Sequence, residues 1–268
     1  MALDSLLSQR GVDADIVVVG NGWKPSALPP GVQGVHLNDD VGIPAGRNAG
    51  VPHAHGELLL FLDDDASLGG TDTLQRIAAK FADDPRLGLL QLRVVPRSGG
   101  APRRDWVPRL RVGNPARSSD VTAVWEGAVA IPRTVFEKAG AWPGDFLHAH
   151  EGVDLAWRVM DGGYRVHYAG DLVAFHPAQP EPMPHGYSFY FGARNRVWLA
   201  RRYLPLPLGV VYVFTFALRT ALRMRSLRNL REAARGYREG VRGPCGARRK
   251  LRGRTLVRMV LAGRPPIM

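Results

Sequence analysis

Three adjacent aspartates, Asp63 to Asp65, directly follow the apolar run Leu58–Leu62. Carboxylates at this spacing repel one another, and a divalent cation with oxygen ligands would offset that repulsion. A metal held by one or two carboxylates commonly binds a diphosphate as well. The alternative is a solvated turn in which Asp65 caps the next segment, and the three aspartates alone leave both interpretations open.

A glycine-rich segment upstream, Asp39–Gly50, contains Arg47 and Asn48 near a predicted helix start. Glycines let a backbone approach a ligand closely, and a helix N-terminus attracts anions. This segment therefore favours a ligand that carries phosphate groups, although its glycine spacing alone is weak evidence.

A predicted helix downstream places Glu151, Asp154 and Arg158 on one face, at spacings of three and four residues. His176 follows a later apolar run, where it could ligate a metal or simply open a turn. The two carboxylates are candidates for a general base. Asp154 could instead pair with Arg158 across one helical turn.

The elements that must position these residues alternate between strand and helix along the first two-thirds of the chain. Strands are predicted over 15–20, 57–63, 87–95, 123–132 and 164–170, and helices over 71–83, 133–139 and 151–161. This order predicts an α/β domain with a mostly parallel sheet. Ligands of such sheets bind beyond the carboxyl ends of the strands, where the three aspartates lie.

The positive charge is concentrated at one end of the chain. The net charge is +12, yet residues 1–200 hold 19 Lys/Arg against 22 Asp/Glu, and residues 201–268 hold 17 against two. We therefore predict a domain over residues 1–200 and a basic, membrane-associating helical tail over residues 201–268.

Two segments of the tail suggest how it would meet a membrane. Leu204–Leu218 is apolar but shorter than a span and contains two prolines, so we expect a buried or interfacial segment. Arginines then recur from 225 to 242 beside an apolar stripe that runs from Met224 through Leu227 to Val241. This pattern is typical of a helix on anionic lipid, and the alternative is a helix docked on the domain with a solvated arginine face.

Four segments, in this order, resemble glycosyltransferase family 2, in particular its bacterial, rhamnosyltransferase-like members. They are DIVVVGNG (15–22), DDVGIPAGRNAG (39–50), LLLFLDDDA (58–66), and EGVDLAWRV with the trailing FHP (151–177). The resemblance implies the GT-A fold, with a mostly parallel sheet flanked by helices that binds a nucleotide-diphosphate sugar. It also implies a divalent cation, Mn²⁺ or Mg²⁺.

The resemblance assigns roles by position. The metal ligands would be Asp65 and His176. Donor contacts would come from Asn21, Gly46, Arg47, Asn48, Asp63 and Asp64, and acceptor contacts from Trp125, Glu126 and Gly127. The base would be Glu151 or Asp154, with Glu151 preferred. A carboxylate at a helix N-terminus is stabilised as the anion, which suits a base that is already ionised.

The sequence departs from the family in three places. Gly20 stands where an aspartate commonly contacts the nucleobase, which leaves Asn21 as the candidate. Gly152 stands where a second acid is common. The family also has a buried strand before the first helix, and this chain starts inside that helix. We therefore expect the reading frame to continue upstream through an apolar strand.

These observations predict an inverting glycosyltransferase that moves a sugar to a hydroxyl of a glycan or lipid-linked acceptor in cell-surface polysaccharide synthesis. We expect it on the cytoplasmic side of the membrane, bound peripherally to an anionic surface. One alternative is a nucleotidyltransferase of related fold. Another is a nucleic-acid-binding protein that uses the arginine-rich tail, but the tail has few aromatic residues between its arginines, so no nucleic acid is expected.

Overall fold

The computed structural model describes residues 1–178 and 186–267. Its strands are β1 Ile16–Asn21, β2 Val32–Leu37, β3 Leu58–Leu62, β4 Ser67–Leu68, β5 Leu87–Pro96, β6 Ser119–Asp120, β7 Ala128–Pro132 and β8 Arg165–His176. Its α-helices are α1 Ala2–Leu7, α2 Ile43–Gly50, α3 Thr73–Asp83, α4 Arg133–Ala139, α5 Glu151–Asp161, α6 Tyr187–Tyr203, α7 Leu206–Arg223, α8 Leu227–Arg242 and α9 Gly253–Leu261.

The main sheet has the strand order β3-β7-β5-β8-β4, and β6 also pairs with β8. The α/β fold class is confirmed, but the sheet is mixed rather than mostly parallel. Strands β5 and β8 are parallel, whereas β7 is antiparallel to both β3 and β5. A parallel neighbour needs a crossover connection, usually a helix. The chain reaches β7 from β5 without an intervening α-helix, which fits its reversed direction.

Strands β1 and β2 form a parallel sheet of their own. The family resemblance predicts one more strand, which precedes the first helix in the chain and is central in the sheet. Within residues 1–178 and 186–267 no strand joins the two sheets, and they are not hydrogen-bonded to each other. Each of β1 and β3 is therefore paired along one edge only in the described structure.

The main sheet is covered on both faces, which explains why its strands are apolar throughout. One core cluster includes Ile131 of β7, Leu155 of α5 and Tyr168 of β8. The other includes Ile77 of α3 and Leu90 of β5. Burial of this kind contributes roughly 25 cal/mol per Å² of apolar surface, and it fixes the strand ends that carry the polar residues.

The C-terminal helices pack back onto this domain. Leu204, Leu251 and Met259 belong to the first core cluster, and Thr255 donates a hydrogen bond to Asp161 at the end of α5. Helix α6 crosses the predicted boundary at residue 200. The division into a domain over residues 1–200 and a tail over residues 201–268 stays a prediction.

Helix α7 is longer than the apolar run suggested. Its 18 residues run without a break because Pro205 is the N-cap and Pro207 lies in the first turn, where proline is tolerated. By length and composition α7 could cross a membrane, and 11% of it is buried. The two prolines therefore do not interrupt the helix.

Helix α8 docks on α6 through small residues, Ala233, Gly236 and Gly240. A Cβ atom at Gly236 would clash with the backbone of Tyr190, so glycine is required for this close approach. The predicted apolar stripe is not the docking face, since Leu227 and Val241 are 73% and 61% exposed. Side-chain size, rather than hydrophobicity, decides which face of α8 contacts the domain.

Candidate active site

Two carboxylates and one imidazole meet at the carboxyl ends of β3 and β8. The ligand atoms of Asp63, Asp65 and His176 all lie within 4.8 Å of one another. His176 Nε2 is 3.0 Å from Asp65 Oδ1 and 3.9 Å from Asp63 Oδ2. Oxygen and imidazole ligands suit Mn²⁺ and similar divalent ions, so the residues present fit such an ion.

The imidazole of His176 is oriented for this role. Its Nδ1 lies 2.9 Å from the carbonyl oxygen of Pro177, which can only accept, so Nδ1 donates there and Nε2 is the nitrogen that faces the carboxylates and would ligate a metal. The edges of Trp106 and Trp125 contact the ring at centroid distances of 5.4 and 5.1 Å. Trp106, in a loop without predicted structure, gave no sequence signal for this contact.

The carboxylate cluster favours a bound cation electrostatically. Burial raises the pKa of Asp65, and the charges of Asp63 and Asp64 raise it further, although His176 acts in the opposite direction. Asp64 is exposed. A divalent cation would favour the ionised forms of the cluster, which is the physical reason for three carboxylates at one strand end.

Arg47 connects the aspartates to the start of α5. Its Nη2 donates to Asp63 Oδ1 at 2.7 Å, and its Nη1 lies 3.9 Å from Glu151 Oε1. Burial lowers the pKa of Arg47, but the charges of Asp63, Glu151 and Glu126 outweigh it and raise the pKa. The guanidinium is therefore a fixed positive charge between the two groups of carboxylates.

Glu151 is almost fully buried, and its Oε2 has no hydrogen-bond partner among the described residues. Burial raises its pKa, although the neighbouring Arg47 lowers it. The backbone at the helix start lowers the pKa of Glu151, as expected for a helix N-terminus, but loss of water on burial has the larger effect in the opposite direction. A raised pKa makes Glu151 a stronger base once it is ionised.

Asp154 faces a different set of partners. It is 1% exposed, forms an ion pair with Arg158, and accepts a hydrogen bond of 2.7 Å from the Tyr203 hydroxyl. Arg202 lies 3.8 Å away. These contacts use the carboxylate oxygens inside the core. The geometry favours Glu151, and not Asp154, as the carboxylate available to a ligand.

Glu126 occupies the space beside Gly152. The amide of Gly152 donates to Glu126 Oε1 at 2.6 Å, and a Cβ atom on residue 152 would approach that same oxygen too closely. Burial and the charge of Glu151 raise the pKa of Glu126 to about 8, against the effect of Arg47. The sequence assigned Glu126 to the acceptor, and the structure brings this carboxyl against the start of α5.

Two residues predicted to contact the sugar donor, Asn48 and Asn21, form hydrogen bonds to neighbouring parts of the chain. Asn48 exchanges hydrogen bonds with the backbone of Trp142, at 2.9 and 3.0 Å. Asn21 donates to Asp40 at 2.6 Å and accepts from the amide of Val41 at 2.9 Å. Gly46 packs against Asn21. These residues shape the loop around the site, and their predicted contacts with a donor stay predictions.

The residues predicted to contact the acceptor lie beside the candidate metal ligands. Gly127 accepts from the Asp63 amide at 3.0 Å, and a Cβ atom there would clash with the Trp125 ring and the Asp63 carboxylate. Trp125 is held by a 2.8 Å hydrogen bond from its amide to Gln91. The structure thus brings 125–127, Asp63 and His176 together at one sheet edge.

The loop before Glu151 has an unusual backbone. Leu147, Ala149 and His150 all have positive φ, between 61° and 70°, which is costly for residues with a side chain. Buried Asn195 holds this loop by donating to the carbonyls of Phe146, His148 and Ala149 at 2.7 to 3.0 Å. Sequence reasoning gave Asn195 no role, since a single asparagine on a helix carries no local signal.

The sequence model of the family described as glycosyl transferase family 2 matches residues 2–139, about half of the chain. The chain belongs to glycosyl transferase family 2. No curated protein matches its sequence.

Solved structures show the same fold at low sequence identity. GalNAc-T7 with UDP, GalNAc and Mn²⁺ aligns with a TM-score of 0.62 and 13% identity, over 90% of this chain and 53% of its own. TarS 1–349 of S. aureus with UDP-GlcNAc gives 0.60 and 14%, over 90% and 76%. The mannosyltransferase PcManGT from Pyrobaculum calidifontis with GDP-Man and Mn²⁺ gives 0.52 and 18%, over 97% and 79%. The chain thus spans about half the length of GalNAc-T7, and the likeness shows the GT-A fold.

Proposed function

We propose that the chain transfers a sugar, with inversion, from a nucleotide-diphosphate sugar to a hydroxyl of a glycan or lipid-linked acceptor in cell-surface polysaccharide synthesis. The observation that carries the proposal is the continuous arrangement of Asp65, His176 and Asp63 with Arg47 and Glu151 at one sheet edge. Family membership and solved relatives with UDP, UDP-GlcNAc and GDP-Man support it.

In the proposed reaction the acceptor oxygen forms a bond to the anomeric carbon as the bond to the donor diphosphate breaks. Glu151 takes the proton of the acceptor hydroxyl, and the nucleoside diphosphate leaves with the electron pair of the broken bond. A divalent cation held by Asp65, His176 and Asp63 would neutralise the leaving diphosphate. Arg47 holds Asp63 and Glu151 at a fixed separation, which positions the donor side against the base.

The charges of the neighbours fit this division of roles. Arg47 stays positive because three carboxylates surround it, and Glu126 prefers its proton near neutral pH. A protonated Glu126 is a hydrogen-bond donor, whereas Glu151 beside Arg47 is the carboxylate that the arginine stabilises as an anion. Two adjacent acids with different partners are a recurring arrangement where one must act as a base.

The proposal places the enzyme on the cytoplasmic side of the membrane, bound peripherally. Exposed apolar side chains on one side of α7 support this, among them Val210, Phe214 and Leu222 at 59%, 66% and 77% exposure. The other side of α7 packs on the domain through Gly209 and Tyr212. A helix that is docked along one side suits the bilayer interface better than a span.

The test uses UDP-, dTDP- and GDP-sugars with the whole chain, with and without Mn²⁺. We expect one donor class to raise the melting temperature in the presence of Mn²⁺ and to release nucleoside diphosphate. Asp65→Ala should abolish both effects, and EDTA should abolish them in the wild type. Asp83→Asn, an exposed residue at the end of α3, is the matched control and should behave as wild type. Full turnover in EDTA would exclude the metal role, and no response to any donor would exclude the donor class.

A further inference from the structure

A groove of about 590 Å³ lies where α6, the end of α7 and the start of α8 meet, away from the sheet edge described above. Four arginines line it, Arg196, Arg219, Arg223 and Arg225, together with Phe216 and Met224. Its lining contains no Asp or Glu among residues 1–178 and 186–267. The groove thus combines concentrated positive charge with apolar walls.

The arginines are close together without compensating carboxylates. In the described part of the chain none of the four forms an ion pair. The guanidinium of Arg196 stacks on Phe216 at 3.7 Å, that of Arg219 lies 5.8 Å from the same ring, and the buried Nε of Arg196 has no hydrogen-bond partner. Two cations on one aromatic ring repel each other, and an anion between them would relieve that repulsion.

The surroundings add to the positive potential. Burial lowers the pKa of nearby Arg264, and the charges of Arg104, Arg196 and Arg219 lower it further although Tyr212 opposes them. Helix α8 begins at the groove, with Ser226 as its N-cap and Asn229 also in the lining. Its 16 residues direct the positive end of the helix dipole toward the groove. Guanidinium groups bind phosphate through bidentate hydrogen bonds, and several of them together suit the charge of a phosphate group.

Exposed apolar side chains next to the lining residues indicate the carrier of that phosphate. Leu222 directly precedes Arg223 and Leu227 directly follows Ser226, and the two leucines are 77% and 73% exposed. A free phosphate or a nucleic acid backbone would leave these side chains in water, whereas a phospholipid would bury them among its acyl chains.

We propose that this groove binds the headgroup phosphate of an anionic phospholipid, with Leu222 at the end of α7 and Leu227 at the start of α8 in the acyl layer. The proposal rests on the peripheral membrane location proposed above and gives that location a specific site. Arg196 is next to Asn195, the residue that holds the loop before Glu151. A lipid bound in the groove therefore fixes the height of the catalytic face above the bilayer.

The experiment compares two variants with the same loss of charge. The groove variant carries Arg219→Gln, Arg223→Gln and Arg225→Gln. The distal variant carries Arg231→Gln, Arg238→Gln and Arg242→Gln, three exposed arginines further along α8. Co-flotation is measured with phosphatidylcholine vesicles, with and without phosphatidylglycerol. Wild type should prefer the vesicles with phosphatidylglycerol. The groove variant should lose affinity on the order of 100-fold and the distal variant much less.

Three outcomes would overturn the proposal. Equal losses in both variants would mean diffuse charge attraction rather than a site. Equal wild-type binding to both vesicle types would exclude preference for anionic headgroups. Vesicle binding kept by the groove variant with loss of sugar transfer would assign the groove to a phosphorylated acceptor. Melting temperatures identify misfolding, and Arg223→Gln with Arg225→Gln, both exposed, gives a milder second variant. Stabilisation by sugar nucleotides with Mn²⁺ is measured separately. Failure of the proposed enzyme activity can therefore be distinguished from failure of the lipid site.

Discussion

The candidate active site and the arginine groove both hold like charges close together, with opposite sign. At the sheet edge, Asp63, Glu126 and Glu151 surround one buried arginine, Arg47, and Asp65 lies beside Asp63. At the groove, four arginines share a lining without acids in the described chain. Each arrangement costs stability unless a partner of opposite charge binds. The comparison therefore suggests a cation and diphosphate for one region and an anionic surface for the other.

The two regions also differ in how their side chains are held. Hydrogen bonds to backbone fix the residues around the active site, as between Asn48 and Trp142 or Asn195 and the loop before Glu151. The groove arginines have mainly the Phe216 ring as a support. Groups held by hydrogen bonds suit a reaction that needs defined geometry, whereas arginines without ion-pair partners can direct their guanidinium groups to a bound phosphate.

The largest expected effect distinguishes the roles of two carboxylates on α5, Glu151 and Asp154. Glu151→Gln should lower kcat by about 10²- to 10⁴-fold with little change in donor affinity, because a base acts in the transition state. Asp154→Asn should instead lower the melting temperature, since it weakens a buried ion pair with Arg158. Steady-state kinetics and thermal unfolding measure the two effects. The reverse result would move the base to Asp154, and no kinetic effect of either would remove the base from this helix.

Asn195 should contribute more to stability than any exposed asparagine. Asn195→Ala removes the donor to the carbonyls of His148 and Ala149 in the loop before Glu151, and we expect about 3 kcal/mol of destabilisation. Urea unfolding measures this loss, and kcat should fall as well because the loop positions Glu151. Asn38→Ala, at an exposed position, is the control and should change stability by less than about 0.5 kcal/mol. A small effect of Asn195→Ala would mean that the loop is stable without this clamp.

A substitution at Gly236 tests whether the candidate active site and the arginine groove act independently. Gly236→Ala places a methyl group against the backbone of Tyr190 and should destabilise the α6–α8 contact by about 1–3 kcal/mol. Vesicle binding should weaken because the start of α8 moves relative to α6, whereas Mn²⁺-dependent donor binding should persist. Gly253→Ala, where a methyl group meets open space, serves as the control. Loss of donor binding in Gly236→Ala would show that the regions do not act independently.

The last prediction concerns the proton on Glu126. Its pKa of about 8 in the folded chain exceeds the ordinary value of 4.5, so the folded state binds more protons between these values. Its contribution to stability is therefore fully present below pH 4.5 and is lost as the pH rises through 8. Glu126→Gln mimics the protonated form and should flatten this part of the stability profile. Unfolding measured from pH 5 to 9 checks this, and identical profiles would show that Glu126 is ionised throughout.

Local sequence patterns were sufficient to predict much of the fold. The apolar run that becomes β3 and the three aspartates after it were readable from residue type, because strand periodicity and strand ends are local properties. The charge asymmetry of the chain was equally direct. The mixed sheet was not predicted, since strand direction depends on the path of the 97–127 segment, which carries no helical pattern.

By itself, the sequence determined the α/β class, the candidate metal ligands Asp65 and His176, and the basic character of the C-terminal helices. Only the tertiary structure shows how the partners of the two carboxylates differ. Asp154 accepts a hydrogen bond from Tyr203, 49 residues away, whereas Glu151 lies beside Arg47 and its Oε2 has no hydrogen-bond partner among the described residues. The tertiary structure also decided which face of α8 packs on α6. That contact requires a residue without a side chain at position 236, where the backbone of Tyr190 lies close. Such choices rest on long-range partners and close packing, which no local pattern encodes.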